Sequence, residues 1–129
     1  MLIRVFGVLG CIFGLSYVGL SALISHAVKL DATALARADS ALKLLIVHAL
    51  ALLVLRMPNA SAKHEFNAKL APALALVGLS FSLGTLIFSG SLLAAALSGV
   101  DALTTLAPFG GSLLMFGWLL WAIAIWRGR

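Results

Sequence analysis

The placement of charge along this chain dictates its fold class. Nine Lys/Arg and four Asp/Glu residues leave four charge-free runs, residues 5–28, 44–55, 70–100 and 102–126. A helix that crosses a bilayer needs roughly 20 apolar residues. The first, third and fourth runs exceed that length. The second, residues 44–55, reaches it if Lys43 snorkels toward the interface and the helix starts near Asp39 or Ser40, either of which then serves as N-cap. The expectation is an all-α, integral-membrane four-helix bundle, up-down-up-down, with helices at about 4–27, 39–56, 70–96 and 108–127 in one domain, 1–129. A short amphipathic segment at about 30–38 is expected in the first loop, where Leu30, Ala34, Leu35 and Ala38 recur at helical spacing between charges.

Composition closes off the soluble alternatives. The chain is 63% hydrophobic and 10% charged, against about half and about a quarter in soluble domains. So few polar residues cannot cover a soluble core, and so apolar a chain does not stay disordered. The net charge of +5 is not a nucleic-acid footprint, because the basic residues flank apolar runs and mark membrane interfaces.

The same residues set an orientation. With both termini cytoplasmic, the inner segments hold Arg4, Arg56, Lys63, Lys69, Arg127 and Arg129, and the outer ones only Lys29, Arg37 and Lys43. This is the positive-inside distribution. The first apolar run is longer than the core of a signal peptide, so it is read as a retained helix. The stretch 57–69, with Pro58-Asn59 and a solvated His64, is read as a cytoplasmic hairpin. The single cysteine, Cys11, reads as a small packed residue.

Small residues are frequent in the spans. Gly10 and Gly14 form a GxxxG pair, Ser80 and Gly84 repeat that spacing, and Gly117 adds another small position; these five are expected to pack helix on helix. Pro72 and Pro108 are placed in the first turns of helices three and four, where a missing N–H costs least. Trp126 beside Arg127 fits an interface, while Trp118 and Trp121 lie deeper, toward lipid or a partner.

Catalytic patterns are thin. HExxH, CxxC, P-loop and GxSxG motifs do not occur, and no acidic residue lies deep within a run. The chain is therefore read as no enzyme, with no catalytic residue, no metal site, no nucleic-acid partner and no assignable cofactor. His26 and His48 stand out within apolar runs. His48 is expected roughly 13 Å below the outer interface and His26 roughly 10 Å shallower. One metal needs nitrogens about 2 Å from a common ion, so this stagger disfavours a shared metal or haem. Each histidine is read first as a neutral group bonded across helices, and second as a ligand contact or proton-handling group.

Three stretches carry a resemblance: Ser21-Ala22-Leu23-Ile24-Ser25-His26, Gly84-Thr85-Leu86-Ile87-Phe88-Ser89-Gly90-Ser91-Leu92, and Pro108-Phe109-Gly110-Gly111 through Phe116-Gly117-Trp118. With His48 before an Ala/Leu run, they resemble the domain-of-unknown-function 423 family, small bacterial inner-membrane proteins related to transmembrane protein 256. The resemblance covers nearly the whole chain. It implies a multi-pass bacterial plasma-membrane location and brings no activity with it.

In this topology the family-like stretches and both histidines fall in the outer half of the bundle. That placement motivates a ligand pocket of His26, His48, Ser89, Gly90, Ser91, Gly110 and Gly111, in which the amides at the start of helix four attract an anion or a lipid headgroup. The leading functional reading is a non-enzymatic accessory, scaffold or assembly protein. It would contact the lipid bilayer and pack against a larger membrane complex or further copies of itself. The alternative is a binder or carrier of a small ligand (lipid, quinone or metal) at the outer pocket.

Overall fold

The computed structural model describes the backbone of residues 2–56 and 64–127, and the side chains of residues 4–55 and 71–127. The protein is all-helical: α1 (Leu2–His26), α2 (Ala32–Arg56), α3 (His64–Ser98) and α4 (Ala107–Arg127), with a 3-10 turn, Asp101–Leu106, leading into α4. Each of four segments, Arg4–His26, Ala32–Leu55, Ala71–Ser98 and Asp101–Arg127, is long and apolar enough to cross a membrane.

Two helices begin earlier than charge spacing implies. The amphipathic segment at 30–38 is not a separate interfacial helix, because α2 runs unbroken from Ala32. Ala32 to Ala36 contains good helix formers and no Gly or Pro, so nothing interrupts it. The N-cap is Asp31, whose Oδ1 accepts the Ala34 amide at 2.8 Å. Asp39 and Ser40, placed inside the helix, take other partners. Asp39 pairs with Lys43 one turn on, and Ser40 donates to the Ala36 carbonyl. The apolar side of this first turn is buried in the bundle: Ala38 is fully enclosed, and Leu30 and Ala34 pack on the core.

The other early start is α3, at His64, so Pro72 lies inside the helix rather than in its first turn. Of the hairpin expected at 57–69, residues 57–63 with Pro58-Asn59 lie outside the described residues, as does the side chain of His64, while 64–69 belong to α3 and not to a loop. At the other end of α3, Gly99 takes φ +74° and its amide bonds to the Ala95 carbonyl at 2.9 Å. This is the left-handed helix stop that glycine adopts without steric cost.

Successive helices are antiparallel. Gly10 of α1 lies against Ala49 of α2, Ala41 and His48 of α2 lie against Ser89 and Phe81 of α3, and Gly84 and Phe81 of α3 lie against Gly110 and Gly117 of α4. The layout is not a closed square. The inner pair is α2 and α3; α1 flanks α2 and reaches α3 through Phe6, whose ring lies over Gly78. Helix α4 flanks α3 only. Among the described residues, the Cα traces of α4 come within 8 Å of neither α1 nor α2. A gap between α2 and α4 follows, roofed on one side by α3.

Along the α3–α4 seam the two backbones come into direct contact. A Cβ on Gly110 would meet the Phe88 amide nitrogen, the Gly84 carbonyl oxygen at 2.8 Å and Phe88 Cα at 2.9 Å. On Gly117 a Cβ would come within 2.7 Å of the Phe81 ring. Lipid tails are as apolar as leucine, so helices associate through such close contact rather than through water exclusion. Of the five small positions singled out from sequence, Gly10, Ser80, Gly84 and Gly117 sit at these contacts. Gly14 does not: nothing lies within 4 Å of its would-be Cβ.

The start of α1 and the end of α4 lie on one side of the bundle, and the α1–α2 and α3–α4 connections on the other. A reporter fused after Arg129 is expected to score as cytoplasmic. A periplasmic signal would reverse the orientation set by the six-to-three basic distribution.

Candidate functional site

His48 is the most deeply buried ionisable group among the described residues, at 2% exposure. Its face of α2 points between α3 and α4. Nδ1 lies 2.8 Å from the Leu44 carbonyl, and Trp118 Nε1 lies 3.1 Å from His48 Nε2. A carbonyl can only accept and an indole N–H can only donate. The network therefore assigns the proton to Nδ1, with Nε2 accepting from Trp118. Both ring nitrogens are engaged, and the imidazole is neutral.

An aromatic cluster fixes this geometry. Phe81 meets the His48 ring edge-on at 5.1 Å and Trp118 at 5.1 Å, and Trp121 stacks on Trp118 at 5.4 Å. Such offset and T-shaped pairs are the favoured aromatic arrangements. The Trp118–His48 hydrogen bond joins α2 to α4 across the gap that their backbones leave open. Among the described residues it is the one hydrogen bond between those two helices.

The remaining polar groups are mostly engaged locally. Ser89 donates to the Ala41 carbonyl of α2 at 2.8 Å, Ser91 to Phe88 of its own helix at 3.0 Å, and Ser82 to Gly78 at 2.7 Å. Thr85, fully enclosed on α3 between Phe81 and Ser89, has a hydroxyl with no partner. The geometry offers no reason for it.

The seven residues of the expected pocket do not converge. His26 is exposed at the end of α1, and Gly90 is exposed on α3. Ser89 and Ser91 are closed off by carbonyls, and Gly110 is pressed into the α3–α4 seam. Only His48 and Gly111 share an open space, a groove of about 480 Å³ between α2 and α4 also lined by Leu44, Pro108, Met115 and Trp118. The sequence places these residues in the same half of the bundle, but depth says nothing of azimuth around each helix. Among the described residues, no group of three or more His, Cys, Asp or Glu side chains is placed to hold a metal.

Two features had no signature in sequence. One is Trp118 as the partner of His48, 70 residues away. The other is Arg37, whose guanidinium lies 2.5 Å from Asp101 and ties α2 to the turn before α4.

A family described as "Protein of unknown function (DUF423)" matches residues 20–111. The chain belongs to this family. The matched span runs from the last turns of α1 to the start of α4 and contains His48, the α2–α3 interface and the Gly84–Gly110 contact. Curated relatives extend the match to almost the full length. A UPF0382 membrane protein from Haemophilus influenzae is 30% identical over 90% of this chain and 89% of its own. A UPF0382 membrane protein from Staphylococcus epidermidis is 32% identical over 94% of both chains, and one from Staphylococcus saprophyticus is 29% identical over 96% of this chain and 98% of its own. No solved structure matches the chain. The DUF423 membership and the four apolar helices together make this a multi-pass membrane protein in contact with the lipid bilayer.

Proposed function

We propose that this DUF423 protein is a non-enzymatic accessory protein of the bacterial inner membrane, which packs through α1 against another membrane helix. The carrying observation is Gly14, a half-buried glycine of α1 at which an added Cβ would meet nothing within 4 Å among the described residues. A helix-interior glycine is less favourable than alanine by about 1 kcal/mol, and here no close approach among the described residues requires it. The compensation is a close approach from outside.

The pattern around Gly14 supports this reading. Gly7, Cys11, Gly14, Val18, Ser21 and Ser25 recur at alternating steps of four and three, the heptad spacing of a helix–helix seam. Beyond the buried Gly7 this strip is exposed or half-buried, with Val18 63% exposed. The engagement of both His48 nitrogens and of the buried serines by internal partners also favours a packing role over chemistry.

A photoreactive residue at Val18, compared with one at the lipid-facing Leu119 of α4, tests the reading in intact membranes. A discrete protein adduct is expected at Val18 and not at Leu119, and it should disappear when Gly14→Leu is added. Lipid adducts alone at both positions would overturn it.

A further inference from the structure

A second surface is independent of the α1 strip. The gap between α2 and α4 continues past Pro108 into a second space of about 510 Å³, lined by Thr33, Ala36, Arg37, Phe88, Leu92 and Thr104 among others. The two spaces share Pro108. They form one groove with α2 and α4 as walls and Phe88 and Leu92 of α3 in its floor. On α2 the lining residues Ala36, Ser40, Leu44 and His48 lie one turn apart in a single line.

Three properties define the occupant. The first is length. From Arg37 to His48 is eleven residues, or about 16 Å along the helix, close to half of the roughly 30 Å hydrocarbon core. The groove therefore runs from one interface to the midplane, where the Trp118–His48 hydrogen bond closes it. The second is chemistry along that length: beyond the mouth, the walls are Leu44, Leu114, Met115 and the Trp118 ring. The third is the mouth itself. Arg37 lines it and pairs with Asp101 of the turn before α4, which borders the adjoining surface toward Lys29 and Asp31; 26% and 78% of the two side chains are exposed. The charges at this end of the bundle are Lys29, Asp31, Arg37, Asp39, Lys43 and Asp101, which sum to zero.

We propose that the α2–α4 groove is a site for one phosphatidylethanolamine molecule. One acyl chain fills the groove down to Trp118, the phosphate sits against Arg37 and the primary ammonium against Asp101. An adjacent cation and anion at a net-neutral rim complement a headgroup that carries adjacent phosphate and ammonium charges. A purely anionic headgroup would compete with Asp101 for Arg37 and bring the carboxylate no cation in exchange. A quaternary ammonium has no N–H to donate to the carboxylate. Burying the chain also fills a cleft that would otherwise leave its wall atoms without van der Waals partners.

The test is native mass spectrometry of the delipidated full chain after titration with phosphatidylethanolamine, phosphatidylglycerol or phosphatidylcholine of matched acyl chains. One phosphatidylethanolamine per chain is expected to be retained at least fivefold more strongly than either of the others. Arg37→Gln should lower that retention about tenfold. Asp101→Asn should shift the preference toward phosphatidylglycerol. Gly111→Leu fills the groove from α4, with its Cβ at ordinary distances of 3.7 and 3.8 Å from the Phe88 ring. It should abolish retention while the melting temperature of the lipid-free protein is unchanged. Equal retention of all three headgroups, retention that survives Gly111→Leu, or an isoprenoid mass in place of the phospholipid would each overturn the assignment.

Discussion

Gly110→Ala is expected to lower stability by about 3 kcal/mol, a fall of roughly 10 °C in melting temperature in mild detergent. Forced overpacking costs about 1–3 kcal/mol when neighbouring side chains can move. Here the obstructing atoms are the Phe88 amide nitrogen, Phe88 Cα and the Gly84 carbonyl oxygen, so two helix backbones must separate. The better helix propensity of alanine, about 1 kcal/mol, offsets only part of this. Gly14→Ala is the matched control, because its Cβ enters open space. It should leave the melting temperature of the isolated protein unchanged or slightly raised. Equal losses at both glycines would mean that propensity, not the α3–α4 contact, sets the effect.

The second large effect is expected at His48. His48→Ala removes a fully enclosed ring, leaves a cavity beside Phe81 and strips the Trp118 N–H of its acceptor. Cavity and orphaned donor together should cost about 2–4 kcal/mol. The hydrogen bond is only part of that, since such bonds inside membranes contribute about 0.6 kcal/mol on average and about 1.7 at most. Trp118→Phe keeps an aromatic ring and loses the donor, so it should cost less. A double-mutant cycle between His48→Leu and Trp118→Phe, read by unfolding in detergent, should return a coupling near 1 kcal/mol. A coupling of zero would mean that α2 and α4 are held apart and together by α3 alone.

Spans were legible because bilayer thickness imposes a length on any uncharged run, and Arg, Lys and Asp mark where each run must end. Helix starts were less legible. Asp39 looked like a cap because charge was taken as an interface signal. In the structure the cap is Asp31, since a helix rich in Ala continues past the hydrocarbon edge until an Asx side chain can take its first free amides. The packing glycines separated by whether a neighbouring helix comes close. Gly10, Gly84 and Gly117 face neighbours, whereas Gly14, in the same GxxxG pair as Gly10, does not.

The candidate site was the least legible part. Sequence places His48 and the Ser89 and Gly110 stretches in the outer half of the bundle, and that shared half suggests a common pocket. Whether two residues at one depth meet depends on helix rotation and on which helices are neighbours. Neither leaves a trace in the spacing of charges. Ser89 turned toward Ala41, Gly110 toward Phe88, and His48 toward a tryptophan 70 residues distant.

By itself, then, the sequence determined the membrane, the four spans and the family stretches. Those follow from local rules: apolar length against bilayer thickness, and charge excluded from hydrocarbon. Only the tertiary structure decided that α4 stands off from α2, that a histidine–tryptophan bond bridges them, and that an arginine–aspartate pair sits at the mouth of the cleft between. These depend on contacts 64 and 70 residues apart, set by how closely glycine lets α4 approach α3.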